Sequence, residues 1–289
     1  MSQDWPGRAA VLSSELFVYL SREEAAKALS SFRDTQVHVI YTARDLVRQA
    51  PAVWQERIKN QYVLGYSDFL DDLLGPVSSK MSKGFWRAQD AVTALARWSQ
   101  GLDPSQVHVV TAPPSGSPPG VLWERFASVI GLNPGTYSTE VPPANPSMSP
   151  LAAETLRRFN QRRGSQLTKR RYGRLVKSDL VQVLLSAVED DTKLTLDSRQ
   201  HEALTQRSTR LVSGLEAAGY DVVGSLDELL PTPAASTRRN LGRGPDQVTD
   251  AEVIDALNDV VFDLLKSVRR DGSRGGRNAA ELDDVGTEG

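Results

Sequence analysis

The chain contains no cysteine. Disulfide staples, Cys-ligated zinc and thiol nucleophiles are therefore excluded at once. It has no run of about 18 apolar residues, so the sequence offers no membrane span. The opening MSQDWPGRAA has neither a basic n-region nor an apolar h-region and does not read as a signal peptide. The expected location is cytoplasmic. Charge of one sign is also lacking: the net charge is −2, which argues against a general nucleic-acid binder. Histidine occurs three times, and no third ligand stands at metal-binding spacing from any of them. There is no G-x-x-x-x-G-K-[ST] and no G-x-G-x-x-G, so neither common glycine-rich phosphate cradle is present.

What is present suffices for one large α/β domain or two smaller ones: 289 residues, 39% hydrophobic and 24% charged. Residues 9–16, AAVLSSEL, read as a short buried strand followed by a polar turn. A helix follows, with Ser21 as cap and Glu24 at the capping-box spacing. Residues 37–43, VHVIYTA, predict a strand, and the next helix carries Pro51, where a kink or a broken turn is expected. YSDFLDDLL predicts a short helix and KGFWRAQDAVTALARWSQGL one long amphipathic helix ending at Gly101. A further strand, VHVVTAPP at 107–114, precedes a helix opened by prolines. Trp54, Trp86, Trp98 and Trp123 fall on apolar helix faces and read as core anchors.

Strands alternating with helices imply βαβ units, parallel pairing and right-handed crossovers. The fold expected is α/β: a P-loop-like parallel sheet with flanking helices, then a mainly helical C-terminal half. The linear division is an α/β core at 1–132, a Pro/Ser-rich connector at 133–150, a helical region at 151–270 and a disordered tail at 271–289. Ligands of a parallel sheet gather outside the C-terminal ends of its strands. Ser13–Glu15, Arg44 and Thr111–Pro114 are expected at that edge.

Four groups carry possible chemistry. Arg44 ends a strand and enters a helix, where a guanidinium and the first helical amides can hold a phosphate. It could equally cap the helix or pair with Asp45. Glu15 could serve as a general base, or be a turn residue paired with an arginine. His38 and His108 each stand second in a VHV strand and read as core or edge histidines, and His201 is assigned no role. From Arg157 to Arg174, eight of eighteen residues are Arg or Lys, a patch that could meet an anionic partner or be a solvated helix face.

Several segments together resemble a known family. VLSSELF, VHVIYTARDLVRQAPAVWQERIK, FWRAQDAVTALARWSQGLDPSQVHVVTAPPSGSPPGVLWERFASVIGL and YDVVGSLDELLP are similar to the sulfotransferase-like proteins of actinobacteria, over roughly residues 8–270. These fall in the superfamily that uses 3′-phosphoadenosine-5′-phosphosulfate (PAPS). The resemblance implies sulfuryl transfer from PAPS to a hydroxyl or amine acceptor. Arg44 matches the arginine that binds the cofactor's 3′-phosphate. The serine eight residues on is replaced by Ala52. Glu15 matches the catalytic base. The family's N-terminal phosphosulfate loop has no counterpart, so the chain is expected to start one β–α unit late and to catalyse weakly or not at all. The alternative expectation is a non-catalytic anion-binding or interaction protein on the same fold.

Overall fold

A computed structural model describes residues 9–32, 34–138, 147–188, 192–231 and 243–279. Its sheet has three parallel strands in the order β1-β2-β3: β1 is Val39–Ala43, β2 is Val107–Thr111 and β3 is Asp221–Val223. Val39 pairs with Val107 and Ala43 with Thr111, while His108 pairs with Asp221. The helices up to residue 130 are α1 (Arg22–Ser30), α2 (Leu46–Ile58), α3 (Tyr66–Leu74), α4 (Lys80–Gln89), α5 (Ala91–Trp98) and α6 (Val121–Val129). Later come α7 (Pro150–Arg163), α8 (Lys169–Tyr172), a π-helical stretch Gly173–Leu180, α9 (Val181–Ala187), α10 (Ser198–Ala218) and α11 (Asp250–Ala279). The architecture is mixed α/β and mostly helical. No helix among the described residues is long and apolar enough to cross a membrane.

The chain forms two compact units. One comprises Met1–Ala50, Leu70–Asn145 and Leu196–Arg239, and the other Pro51–Phe69, Pro146–Thr195 and Asn240–Gly289. Each takes segments from both sides of the 133–150 connector. The first holds the sheet. Side chains alternate along its strands, so Val107 and Val109 face one side together with Ala43. They pack on Ala91 and Leu95 of α5 and on Val212 and Leu215 of α10, and Leu229 closes the cluster. Helix α6 packs along β2 and β3.

In the second unit, α7 buries a carboxylate. Glu154 is 1% exposed and accepts from both Arg157 and Arg158 at 2.7 Å. Asn160 on the same helix donates to the Ile58 carbonyl and accepts from the Tyr172 hydroxyl. Trp54 is fully buried, sets its ring edge-on to Tyr66 and donates its indole N–H to the Leu64 carbonyl. Helix α11 lays Val253, Ala256 and Val260 against α7 and α9.

Several sequence expectations are corrected. Residues 9–14 form no strand, and Val11 and Leu12 are exposed. A strand exists only as half of a ladder, and this segment joins neither ladder of the sheet. Glu15–Tyr19 is instead a 3₁₀ turn. The long helix expected through residues 83–102 is two helices that meet at Asp90, whose carboxylate accepts from the Thr93 N–H and caps α5. Helix α2 passes through Pro51 without interruption, and α6 starts at Gly120, whose φ of 94° suits glycine, rather than at the prolines. The helix of α11 runs through Ala279, and residues 280–289 of the expected tail lie outside those described.

Candidate functional site

The C-terminal edge of the sheet is tied together by two arginines. Asp45 caps α2, its Oδ1 accepting from the Arg48 N–H at 2.9 Å, and it forms an ion pair with the Arg48 side chain. Arg48 also donates to the carbonyls of Pro113 at 2.9 Å and Ala112 at 3.4 Å. It thereby joins the turn after β1 to the turn after β2. The Ala112 N–H continues the ladder to the Ala43 carbonyl at 2.7 Å.

One strand over, Arg125 grips Glu228 with both terminal nitrogens, at 2.6 and 2.8 Å. It also donates to the Thr111 carbonyl at 2.7 Å, and the Thr111 hydroxyl donates to Glu228 at 2.5 Å. The Arg125 hydrogen bonds pull the Glu228 carboxyl below its ordinary value against the opposing effect of burial. Gly224 passes close above, at φ 112°, and a Cβ there would overlap the Thr111 hydroxyl. Thr111 is thus part of a lock between strand ends, fully buried and occupied.

Arg44 is different. It is exposed, stands at the end of β1, and makes no hydrogen bond or ion pair with any described residue. Desolvation and the like charge of Arg48 pull its guanidinium below the ordinary value, while Asp45 acts the other way. Asp45 is engaged by Arg48, so Arg44 stays without a direct partner among the described residues. A cation disfavoured in this way gains from an anion placed against it. Arg44 also stands beside the N-terminus of α2, where the helix dipole favours negative charge. Ala52, eight residues on, lies on the part of α2 that belongs to the second unit and offers no donor side chain.

Glu15 opens the 3₁₀ turn, exposed and without a side-chain hydrogen bond to any described residue. The turn itself is held firmly. Trp98, Arg97 and Arg87 donate to the carbonyls of Phe17, Val18 and Tyr19 at 3.1, 2.7 and 3.1 Å. The sequence places Glu15 and Arg44 at one edge, and the structure brings them into no hydrogen bond or ion pair.

At the opposite end of the sheet the two VHV histidines meet. His38 Nδ1 lies 2.7 Å from His108 Nε2, and His108 Nδ1 lies 2.6 Å from Asp221 Oδ2. No group of three or more His, Asp or Glu residues among those described could hold a metal. The sequence reading missed Asp221 and the Arg125–Glu228 pair. Asp221 had a signal: it opens an apolar DVV triplet just after the glycine that stops α10. The Arg125–Glu228 pair spans 103 residues of sequence and had none.

No family model, curated protein or solved structure matches the chain.

Proposed function

We propose that this chain is a sulfotransferase-like protein on a P-loop-like parallel sheet, which takes the 3′-phosphate of PAPS at Arg44. The observation that carries this reading is the unpaired guanidinium at the C-terminal end of β1, beside a neighbouring arginine that is fully engaged. A phosphate dianion suits that position by charge and by guanidinium geometry. The sequence resemblance supplies the identity of the nucleotide.

The residues fit only one end of PAPS. Arg44 fits the 3′-phosphate, but the sequence holds no glycine-rich loop with a lysine for the phosphosulfate. Glu15, the residue matching the family's base, has no partner to hold its carboxylate toward an acceptor hydroxyl or amine. The reading is therefore nucleotide binding with sulfuryl transfer weak or absent.

The test is a melting assay with adenosine 3′,5′-bisphosphate, since a ligand bound to the native state raises the transition by mass action. The expected result is a rise that Arg44→Ala abolishes, with negligible turnover of labelled PAPS. No rise at millimolar ligand sinks the reading.

A second reading has its own observation. Of the eight cations between Arg157 and Arg174, Arg157 and Arg158 are committed to Glu154. Arg162, Arg163, Lys169, Arg170, Arg171 and Arg174 are exposed, and none pairs with an acidic group among the described residues. Such a patch suits a non-catalytic partner for an anionic polymer. Retention on heparin that falls with salt, together with no response to the bisphosphate, favours this reading over the first.

A further inference from the structure

Helix α11 is apolar on more of its circumference than its own unit covers. Val253, Ala256 and Val260 are buried, whereas Ile254, Leu257, Val261, Phe262 and Leu265 are between 37% and 61% exposed. Ile254, Leu257 and Val261 recur at intervals of three and four, and Leu264 continues the series. That is a heptad seam with Ile and Val at one core position and Leu at the other. We infer that this stripe is the contact by which two copies of the chain associate.

Three features select a second copy as the occupant. The residue types are the pair that favours two-stranded association: β-branched at the first core position, leucine at the second. The exposed flank holds Asn258 and Leu265, with no charge that would repel its own image or call for a charged foreign partner, while Val253 and Val260 on the other flank are buried against α7 and α9. The acids Asp255, Asp259 and Asp263 fall on the positions turned away from the seam. Finally, the single run Ile254, Leu257, Val261 and Leu264 can meet its own image about a two-fold axis. A symmetric contact uses one patch twice, so a single apolar stripe is complementary to itself. Each heptad of the stripe also spans two helical turns, so two copies can interleave side chains along its length.

The experiment is sedimentation of the full chain from sub-micromolar to high-micromolar concentration. The expected result is a monomer–dimer equilibrium that Val261→Asp weakens by about tenfold or more, while Asp259→Ala leaves it unchanged. A monomer throughout, or a dimer indifferent to Val261→Asp, overturns the inference. Because the chain has no cysteine, a second measurement covers the case in which the Asp variant fails to fold. Ile254→Cys, Leu257→Cys and Val261→Cys each introduce a single thiol, with Asp259→Cys as the comparison. Faster disulfide cross-linking at one or more seam positions than at 259 supports the pairing. Cross-linking at all of them indicates parallel helices, and at one alone an antiparallel pair. No seam position faster than 259 overturns it.

Discussion

His38 Nδ1 and His108 Nε2 stand 2.7 Å apart, and the second ring of the pair is anchored by Asp221. A carboxylate only accepts, so His108 carries its proton on Nδ1. Its Nε2 then accepts from a neutral His38 or, if His108 is cationic, donates to it. Two cationic rings would point N–H against N–H and open the contact. The expected result from long-range nitrogen–proton NMR is an Nδ1–H tautomer for His108 near neutral pH. Predominant Nε2–H on His108 would refute the arrangement. Asp221→Asn keeps an oxygen that accepts but adds an N–H that can donate to Nδ1, so it is expected to mix the tautomers at a cost of about 1 kcal/mol, modest because Asp221 is half exposed.

Glu228 gives a pH dependence with a definite sign. Its carboxyl is held below the ordinary 4.5 chiefly by hydrogen bonds from Arg125. A depressed carboxyl contributes stability that is present above its unfolded value and lost as pH falls through its folded value. Urea unfolding is expected to show Glu228→Gln less stable than the parent by about 1–3 kcal/mol near neutral pH. The gap should close below pH 4.5 as the parent protonates. A gap that persists at pH well under that value would mean the carboxylate is not what the lock requires.

Gly224 sits beside the same lock with φ at 112°, a region that L side chains avoid, and a Cβ there meets the Thr111 hydroxyl and the Arg125 guanidinium. Gly224→Ala is expected to cost about 3 kcal/mol through backbone strain and overpacking together. Gly101→Ala is the comparison, with positive φ but open space around it, and should cost less. Equal losses at the two sites would leave backbone strain as the whole effect.

The basic segment divides into structural and exposed cations. Glu154 is buried and satisfies two arginines at once, so Glu154→Ala leaves Arg157 without its acid and Arg158 with only the exposed Asp250. A loss of about 3–5 kcal/mol in chemical denaturation is expected, as for breaking one side of a buried pair. Arg163→Ala and Arg171→Ala are expected to stay within about 0.5 kcal/mol. If they instead destabilise as strongly as Glu154→Ala, the patch is part of the fold and not a free surface.

The parts of this fold that local chemistry specifies could be read from the sequence, and those that need distant partners could not. β1 and β2 are largely apolar runs, and the central β2 is buried on both faces while the edge strand β1 leaves Thr42 exposed. Ser21 with Glu24 announces a helix start that the structure forms by those hydrogen bonds. Gly219 ends α10 at φ 65°, as a left-handed cap requires. The segment AAVLSS looks like a strand by composition, yet pairing decides, and no strand lies beside it. β3 has only three residues, too few for a period to show, and its place depends on β2 arriving 110 residues earlier. The run 83–102 reads as one amphipathic helix, although Asp90, a side chain that prefers to cap, gives grounds for a break there. Arg44 was legible as a position, since a strand running into a helix through arginine is visible in the letters. That Arg48 rather than Arg44 would take Asp45 was not, because both lie within reach of it in sequence.

Arg44 yields the prediction that separates a binding residue from a structural one. Every other arginine at this sheet edge holds something: Arg48 joins two turns, and Arg125 locks two strand ends. Arg44 holds nothing among the described residues, and its charge is disfavoured by desolvation and by Arg48. Removing it should therefore leave stability within about 0.5 kcal/mol of the parent, or slightly above it. Arg48→Ala, by contrast, strips the partner from a buried Asp45 and is expected to cost about 2–4 kcal/mol. If Arg44→Ala also abolishes the melting shift given by adenosine 3′,5′-bisphosphate, loss of binding without loss of stability assigns the residue to the ligand. If Arg44→Ala destabilises as much as Arg48→Ala, the guanidinium has a structural partner and the nucleotide reading loses its main support.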